Sequence, residues 1–121
     1  MDFLNIGGFT IKAGKNREFQ EWVRANSAAL TKAMPKGTEL VGIYASVFSS
    51  EKHSGAYKIV MRLDSYGALD RLAAAGKEDP EFMRLAAELA SFGDVRLAAD
   101  YSNELLKSVA DVTITADYPE E

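Results

Sequence analysis

Between Phe9 and Trp22 the chain reads FTIKAGKNREFQEW. Strand-forming residues run up to Ala13-Gly14-Lys15, and a helical pattern then opens at once with aromatics on one side. A strand that turns directly into an amphipathic helix is the first half of a β-α-β unit. This junction constrains the architecture most, because it marks where a period of two gives way to a period of 3.6.

The rest of the chain extends that start. Phe3 to Lys12 is the predicted first strand, and Gly7-Gly8 inside it mark a bulge or a close backbone approach. The helix runs from Asn16 to Met34, with Phe19, Trp22, Val23, Leu30 and Met34 at helical spacing. Glu18 suits the positive end of its dipole, and Pro35-Lys36-Gly37 stops it. Glu39 to Phe48 and Gly55 to Leu63 read as two strands joined by the polar turn Ser49 to Ser54, a hairpin with a longer loop.

Asp64-Ser65 caps a second helix carrying Leu69, Leu72 and Ala73. Gly76-Lys77 interrupts it, and it restarts with Asp79 as N-cap and Pro80 at the first helical position. Phe82, Leu85, Ala86 and Leu89 form its apolar stripe. Between Asp94 and Ser108, Leu97, Tyr101 and Leu105 are four apart, which predicts a short broken helix. Val109 to Ala116 is the predicted last strand. Residues 1–116 then form one domain, and the acidic stretch Asp117 to Glu121 is a fraying tail.

The order β-α-β-β-α-β, with an extra helical segment before the last strand, is the split pattern of the α+β ferredoxin-like fold. Helices lie on one face of its antiparallel sheet. Strict alternation puts Val41, Ile43, Ala45 and Val47 on the helix side, with Tyr57, Ile59, Met61, Leu63, Val112 and Ile114. The opposite face then carries Leu40, Gly42, Tyr44, Ser46 and Phe48, with Lys58, Val60, Arg62, Thr113 and Thr115. Leu40, Tyr44, Phe48 and Val60 make that face too apolar for water alone. A second copy packed sheet to sheet would bury it, with Lys58 and Arg62 in the same interface.

Composition closes several routes. At 47% apolar and 26% charged residues, the 121-residue chain has a globular composition and can bury a core. Zero cysteines exclude disulfides, thiolate zinc sites and Cys nucleophiles. No apolar run approaches the ~20 residues of a membrane span, and MDFLNIGG lacks the pattern of a signal peptide, so a cytoplasmic protein is expected. The net charge of -4 gives no footprint for nucleic acid, and no paired DNA-binding helices are visible.

Few residues suggest chemistry. His53, the only His, lies in the polar turn, where it serves as a general base or is simply solvated. Asn5 is a candidate polar contact, or a hydrogen-bonding residue beside Gly7-Gly8. Trp22 stacks on a planar ligand or packs in the core with Phe19 and Val23. Tyr44, Lys58 and Arg62 share one predicted face, where they hold an anionic group or lace an interface. Tyr57 and Met61 line a pocket under the helices or fill the core. Neither Gly7-Gly8 nor Gly14-Lys15 has the spacing of a phosphate loop, and no metal-binding spacing is visible, so no metal is expected.

The AGK entry into a helix with Glu18, Phe19 and Trp22, and the Glu39-Leu40-Val41-Gly42 opening of the second strand, resemble the dimeric α/β-barrel superfamily. DPEF (Asp79 to Phe82) and SNELLKSV (Ser102 to Val109) are similar to the same group, above all to NIPSNAP-like proteins and their small bacterial relatives. The resemblance implies a homodimer whose two sheets form a barrel, with a cavity in each subunit between sheet and helices. Activities in the superfamily range from cofactor-independent oxygenation through lactone isomerisation and haem chemistry to none known, so the fold does not fix the function. Haem-handling members use a His on or near the second helical segment. This chain has none between Ser65 and Ser108, and no cofactor is expected. Asn5 resembles the Asn of the oxygenases.

Two functions stay open. One is a homodimer that binds a hydrophobic small molecule without known catalysis. The other is a cofactor-independent oxygenase or isomerase acting on an aromatic or polyketide-like substrate. Either places the ligand near Asn5, Trp22, His53, Tyr57 and Met61.

Overall fold

The computed structural model describes residues 3–51, 55–94 and 102–108. Its elements are β1 (Phe3–Phe9), α1 (Asn16–Ala33), β2 (Thr38–Ala45), β3 (Tyr57–Leu63), α2 (Ala68–Glu78), α3 (Pro80–Ser91) and β4 (Ser102–Lys107). The four strands form one antiparallel sheet in the order β2-β3-β1-β4. This is the ferredoxin-like α+β arrangement, and β1 pairs on both of its edges.

The apolar stripes seal the helices onto one face of the sheet. Phe19 of α1 packs with Phe9, Ile11 and Tyr57. Leu30 of α1 meets Leu40, and Phe82 and Leu85 of α3 join them. Phe3, Leu63 and Ala68 form a third cluster at the start of α2. Each fully buried Phe or Leu stabilises the fold by about 1.5–3 kcal/mol relative to exposure.

The register defines the rows of the sheet. On the helix side they are Lys107, Phe3, Leu63 and Thr38; then Leu105, Asn5, Met61 and Leu40; then Asn103, Gly7, Ile59 and Ile43. On the open side they are Leu106, Leu4, Arg62 and Glu39; then Glu104, Ile6, Val60 and Gly42; then Ser102, Gly8, Lys58 and Tyr44.

Several sequence-based expectations are corrected here. A bulge between Leu40 and Gly42 breaks the alternation in β2, with Val41 as the extra residue. Leu40 and Ile43 therefore both face the helices. Leu40 is 8% exposed and belongs to the core, not to the open face, while Val41 is 40% exposed. β2 ends at Ala45, so Val47 and Phe48, 98% and 88% exposed, belong to neither sheet face. Gly7-Gly8 causes no register shift on either side of β1.

The predicted helix over 94–108 also fails at its end, because Ser102–Lys107 is β4. The free edge of β1 needs backbone partners, and that demand outweighs the four-residue spacing that includes Leu105. The predicted strand Val109 to Ala116, with Thr113 and Thr115, lies outside the described residues.

Gly76 lies inside α2, which continues to Glu78. The break falls at Asp79 (φ -95°, ψ 108°), because a residue before proline is driven out of helical geometry. Oδ1 of Asp79 then accepts from the backbone N–H of Glu81 and Phe82 at 3.1 and 3.3 Å, capping α3. Asp64-Ser65 does not cap α2, whose N-cap is Gly67; Ser65 Oγ donates instead to Asp64 Oδ1 at 2.9 Å.

Candidate functional site

The site begins at a missing side chain. Gly7 lies mid-strand on the helix side, between Asn103 and Ile59. A Cβ built there would meet nothing nearer than 4.0 Å, the contacts being Asn103 Oδ1 and Ser102 O. Above this strand α3 presents Ala86 and Ala90, four residues apart and so on one face. Small residues on both layers leave a cavity of about 360 Å³, lined by Gly7, Gly8, Phe9, Ile59, Ala86, Leu89, Ala90, Gly93, Ser102 and Asn103.

The space is a pocket partly open to solvent rather than a void sealed inside the core. It falls within the size range of small-molecule sites. Its described lining is apolar apart from Ser102 and Asn103 and holds no charged side chain. Such a chamber takes up apolar surface and offers hydrogen bonds at its β4 side.

The residues expected from sequence to hold a ligand lie elsewhere. Asn5 is 6% exposed, one row along the sheet from Gly7 and beside Met61. Met61 packs in the core with Leu40 and Leu63 among its neighbours. Trp22 packs near Phe92, with ring centroids 6.3 Å apart, and its Nε1 donates to Glu88 Oε1 at 2.8 Å. Tyr57 stacks on Phe9 and meets Phe19 edge-on. Its hydroxyl donates to Asn16 Oδ1 at 2.9 Å and accepts from Gln20 Nε2 at 3.1 Å. Tyr57 also lines a smaller groove of about 200 Å³ with Phe19, Gln20, Val23, Arg24, Ile43 and Ala45. His53 lies outside the described residues. The structure thus brings Asn5 and Met61 together, packs Trp22 against the same Leu30–Leu40–Phe82–Leu85 cluster as Met61, sets Tyr57 in the separate cluster with Phe9 and Phe19, and lines the larger cavity with none of these four.

Cavity residues escaped the sequence reading because glycine and alanine carry no functional group. The available signal was Gly7-Gly8 in a strand that is regular elsewhere, set against Ala86 and Ala90 at helical spacing. On the open face, Tyr44 stands opposite Lys58, and Arg62 pairs with Glu39 at 3.6 Å. The perturbed carboxylates lie away from the cavity lining. Glu88 is held below its ordinary value first by the Trp22 N–H and then by Arg84. Asp64 is lowered first by the Ser65 hydroxyl and then by Arg71. Among the described residues there is no group of three or more His, Cys, Asp or Glu that could hold a metal ion, and no helix long and apolar enough to cross a membrane.

No protein-family model matches the chain, and no curated protein matches it. Solved structures do. A NIPSNAP family protein from Agrobacterium tumefaciens superposes with a TM-score of 0.63 at 16% identity, over 88% of this chain and 92% of the other. An uncharacterized NIPSNAP domain protein from Burkholderia xenovorans gives 0.64 at 14% identity, over 92% and 97%. A dimeric ferredoxin-like protein of unknown function from Thermobifida fusca gives 0.60 at 16%, over 89% and 92%. At these identities the likeness is one of fold. It is the fold that the resemblance to NIPSNAP-like proteins implied.

Proposed function

We propose that the protein is a homodimer that binds a hydrophobic small molecule, without known catalysis, in the cavity between α3 and the sheet. The observation that carries this reading is the cavity itself: about 360 Å³ with a mostly apolar described lining, to which Asn103 adds its amide and Ser102 its backbone oxygen. Ligand sites have this composition, a mostly apolar wall with a few placed polar groups. General acid–base catalysis needs titratable groups within hydrogen-bond reach, and the described lining supplies no carboxylate, imidazole or amine.

The open face supports the dimer. Leu4, Leu106, Ile6, Val60 and Tyr44 share it, and Tyr44 and Leu106 are 50% and 42% exposed. A second sheet would cover this patch together with Lys58 and Arg62. The similar Thermobifida fusca structure is of a protein described as dimeric.

The test uses N-phenylnaphthylamine, a neutral dye that brightens in apolar surroundings. Wild type should take it up saturably, and Ala90→Trp, which fills the cavity from α3, should abolish the signal. Uptake unchanged by Ala90→Trp, or no saturable uptake by wild type, overturns the proposal.

A further inference from the structure

We infer that Gly7 sets the ligand class of this cavity, and that the class is an uncharged, flat apolar molecule with one hydrogen-bonding group directed at Asn103. The inference rests on the reading of the cavity as a ligand site.

Nothing in the backbone requires glycine at position 7. Its φ is not among the positive ones, which belong to Gly14, Gly37 and Gly55. The register runs unbroken past it on both sides. A Cβ there would meet nothing nearer than 4.0 Å. A glycine inside a central strand weakens the strand and gives up packing, so local rules argue against it. Its one evident consequence is the empty space above it. Residues that break a local rule without a local reason concentrate at functional sites.

The shape of the space follows from what surrounds it. A bare strand forms the floor at Gly7, and Ala86 and Ala90 form a low roof. Ile59 and Leu89 supply apolar walls. A bare strand facing the two methyl groups of Ala86 and Ala90 suits a planar ring system better than a bulky one. With no charged group in the described lining, a carboxylate or phosphate entering it would lose its hydration without a counter-charge. The described lining therefore favours a neutral ligand. Asn103 Oδ1 is one of the two atoms nearest the Gly7 Cβ position, so its amide stands at the edge of the slot. An amide both donates and accepts, which suits a hydroxyl or carbonyl on the ligand.

Calorimetric titration of the full chain with naphthol and with naphthoate at neutral pH tests this, together with Gly7→Val, Gly7→Ala and Asn103→Ala. Naphthol should bind saturably, and naphthoate about tenfold more weakly or worse. Gly7→Val should weaken naphthol by about tenfold or more while melting at or above the wild-type temperature. Asn103→Ala should weaken naphthol by about two- to tenfold, the worth of one hydrogen bond, and leave naphthalene unchanged. Should valine disturb folding, Gly7→Ala carries the same test with a smaller loss. Equal binding of naphthoate and naphthol, or wild-type affinity in the folded Gly7 variants, overturns the inference. If N-phenylnaphthylamine is still excluded by Ala90→Trp in that case, the cavity remains a ligand site and only the class assignment falls. If no neutral probe binds wild type, both fall.

Discussion

The indole Nε1 of Trp22 on α1 donates to Oε1 of Glu88 on α3 at 2.8 Å, and Arg84 donates to the other carboxylate oxygen at 2.8 Å. Arg84 also reaches Glu81 at 2.7 Å. One carboxylate thus ties the two long helices together at the surface of the core. The contact joins residues 66 apart in sequence, so it forms only when the tertiary structure does.

This contact should appear in the pH dependence of stability. The Trp22 N–H, followed by Arg84, lowers the Glu88 carboxyl below its ordinary 4.5. A folded value below the unfolded one gives stability that is full above the unfolded value and is lost as pH falls through the folded one. Melting temperature should therefore fall as pH drops below about 4.5. Asp64, lowered by Ser65 and Arg71, adds to the same acid loss. Trp22→Phe keeps a ring and removes the donor, so its acid slope should be shallower. Identical slopes in thermal melts of the two proteins would show that the hydrogen bond does not set the Glu88 titration.

Asp79 ends α2 through its extended backbone and caps α3 with its side chain. Asp79→Ala should lower stability by about 1 kcal/mol, the usual worth of such a cap, and Asp79→Asn should retain most of it. Urea unfolding reads this as a lower midpoint with an unchanged slope.

Leu40 and Tyr44, both candidates for the interface by alternation, should behave oppositely. Leu40→Ala removes a side chain packed with Leu30, Phe82 and Leu85, at a cost of about 2–5 kcal/mol to folding. Tyr44→Glu places a charge on the open face and should weaken dimerisation while leaving the subunit folded. Light scattering on a sizing column should give twice 13.2 kDa for wild type and a shift towards the single-chain mass for Tyr44→Glu. A monomeric wild type at micromolar concentration would remove the dimer from the proposal.

Two glycines give opposite signs on substitution by alanine. Gly76 sits within α2 with nothing near its Cβ position, so Gly76→Ala should stabilise by about 0.5–1 kcal/mol. Gly37 has φ +85°, and its Cβ would run into Asp64 and Arg71. Gly37→Ala should destabilise, and also loosen the turn in which Asp64 N–H donates to Gly37 O at 2.9 Å and Arg71 Nε to Lys36 O at 2.8 Å. Melting temperatures measured side by side decide both.

Long periodic segments were legible in the sequence. The Phe19-to-Leu30 stripe of α1 and the Asp79-Pro80 restart lie where their patterns put them, and β2 and β3 pair as expected, though β2 stops at Ala45 and β3 starts at Tyr57. The errors have physical causes. A bulge adds one residue and leaves the strand otherwise ordinary, so alternation carried Leu40 to the wrong face. β4 owes its position to the free edge of β1, a demand made about a hundred residues earlier in the chain that no local window contains. The cavity is defined by a side chain absent at Gly7 and cut to a methyl at Ala86 and Ala90, and pattern reading searches for larger groups that are present.

The place of β1 at the centre of the sheet also sets the timing of assembly. Its first partner, β3, begins at Tyr57, and its second, β4, at Ser102. Translation at about 5–20 residues per second separates β1 from β4 by several seconds. During that interval Phe3 and Phe9 emerge with one strand edge still open, on a strand whose two pairings, to β3 and to β4, are both non-local. Folding speed and aggregation during synthesis should therefore depend on how well the later-made residues 102–107 recognise the waiting strand. A substitution there that barely alters the finished protein would still lower its yield in the cell.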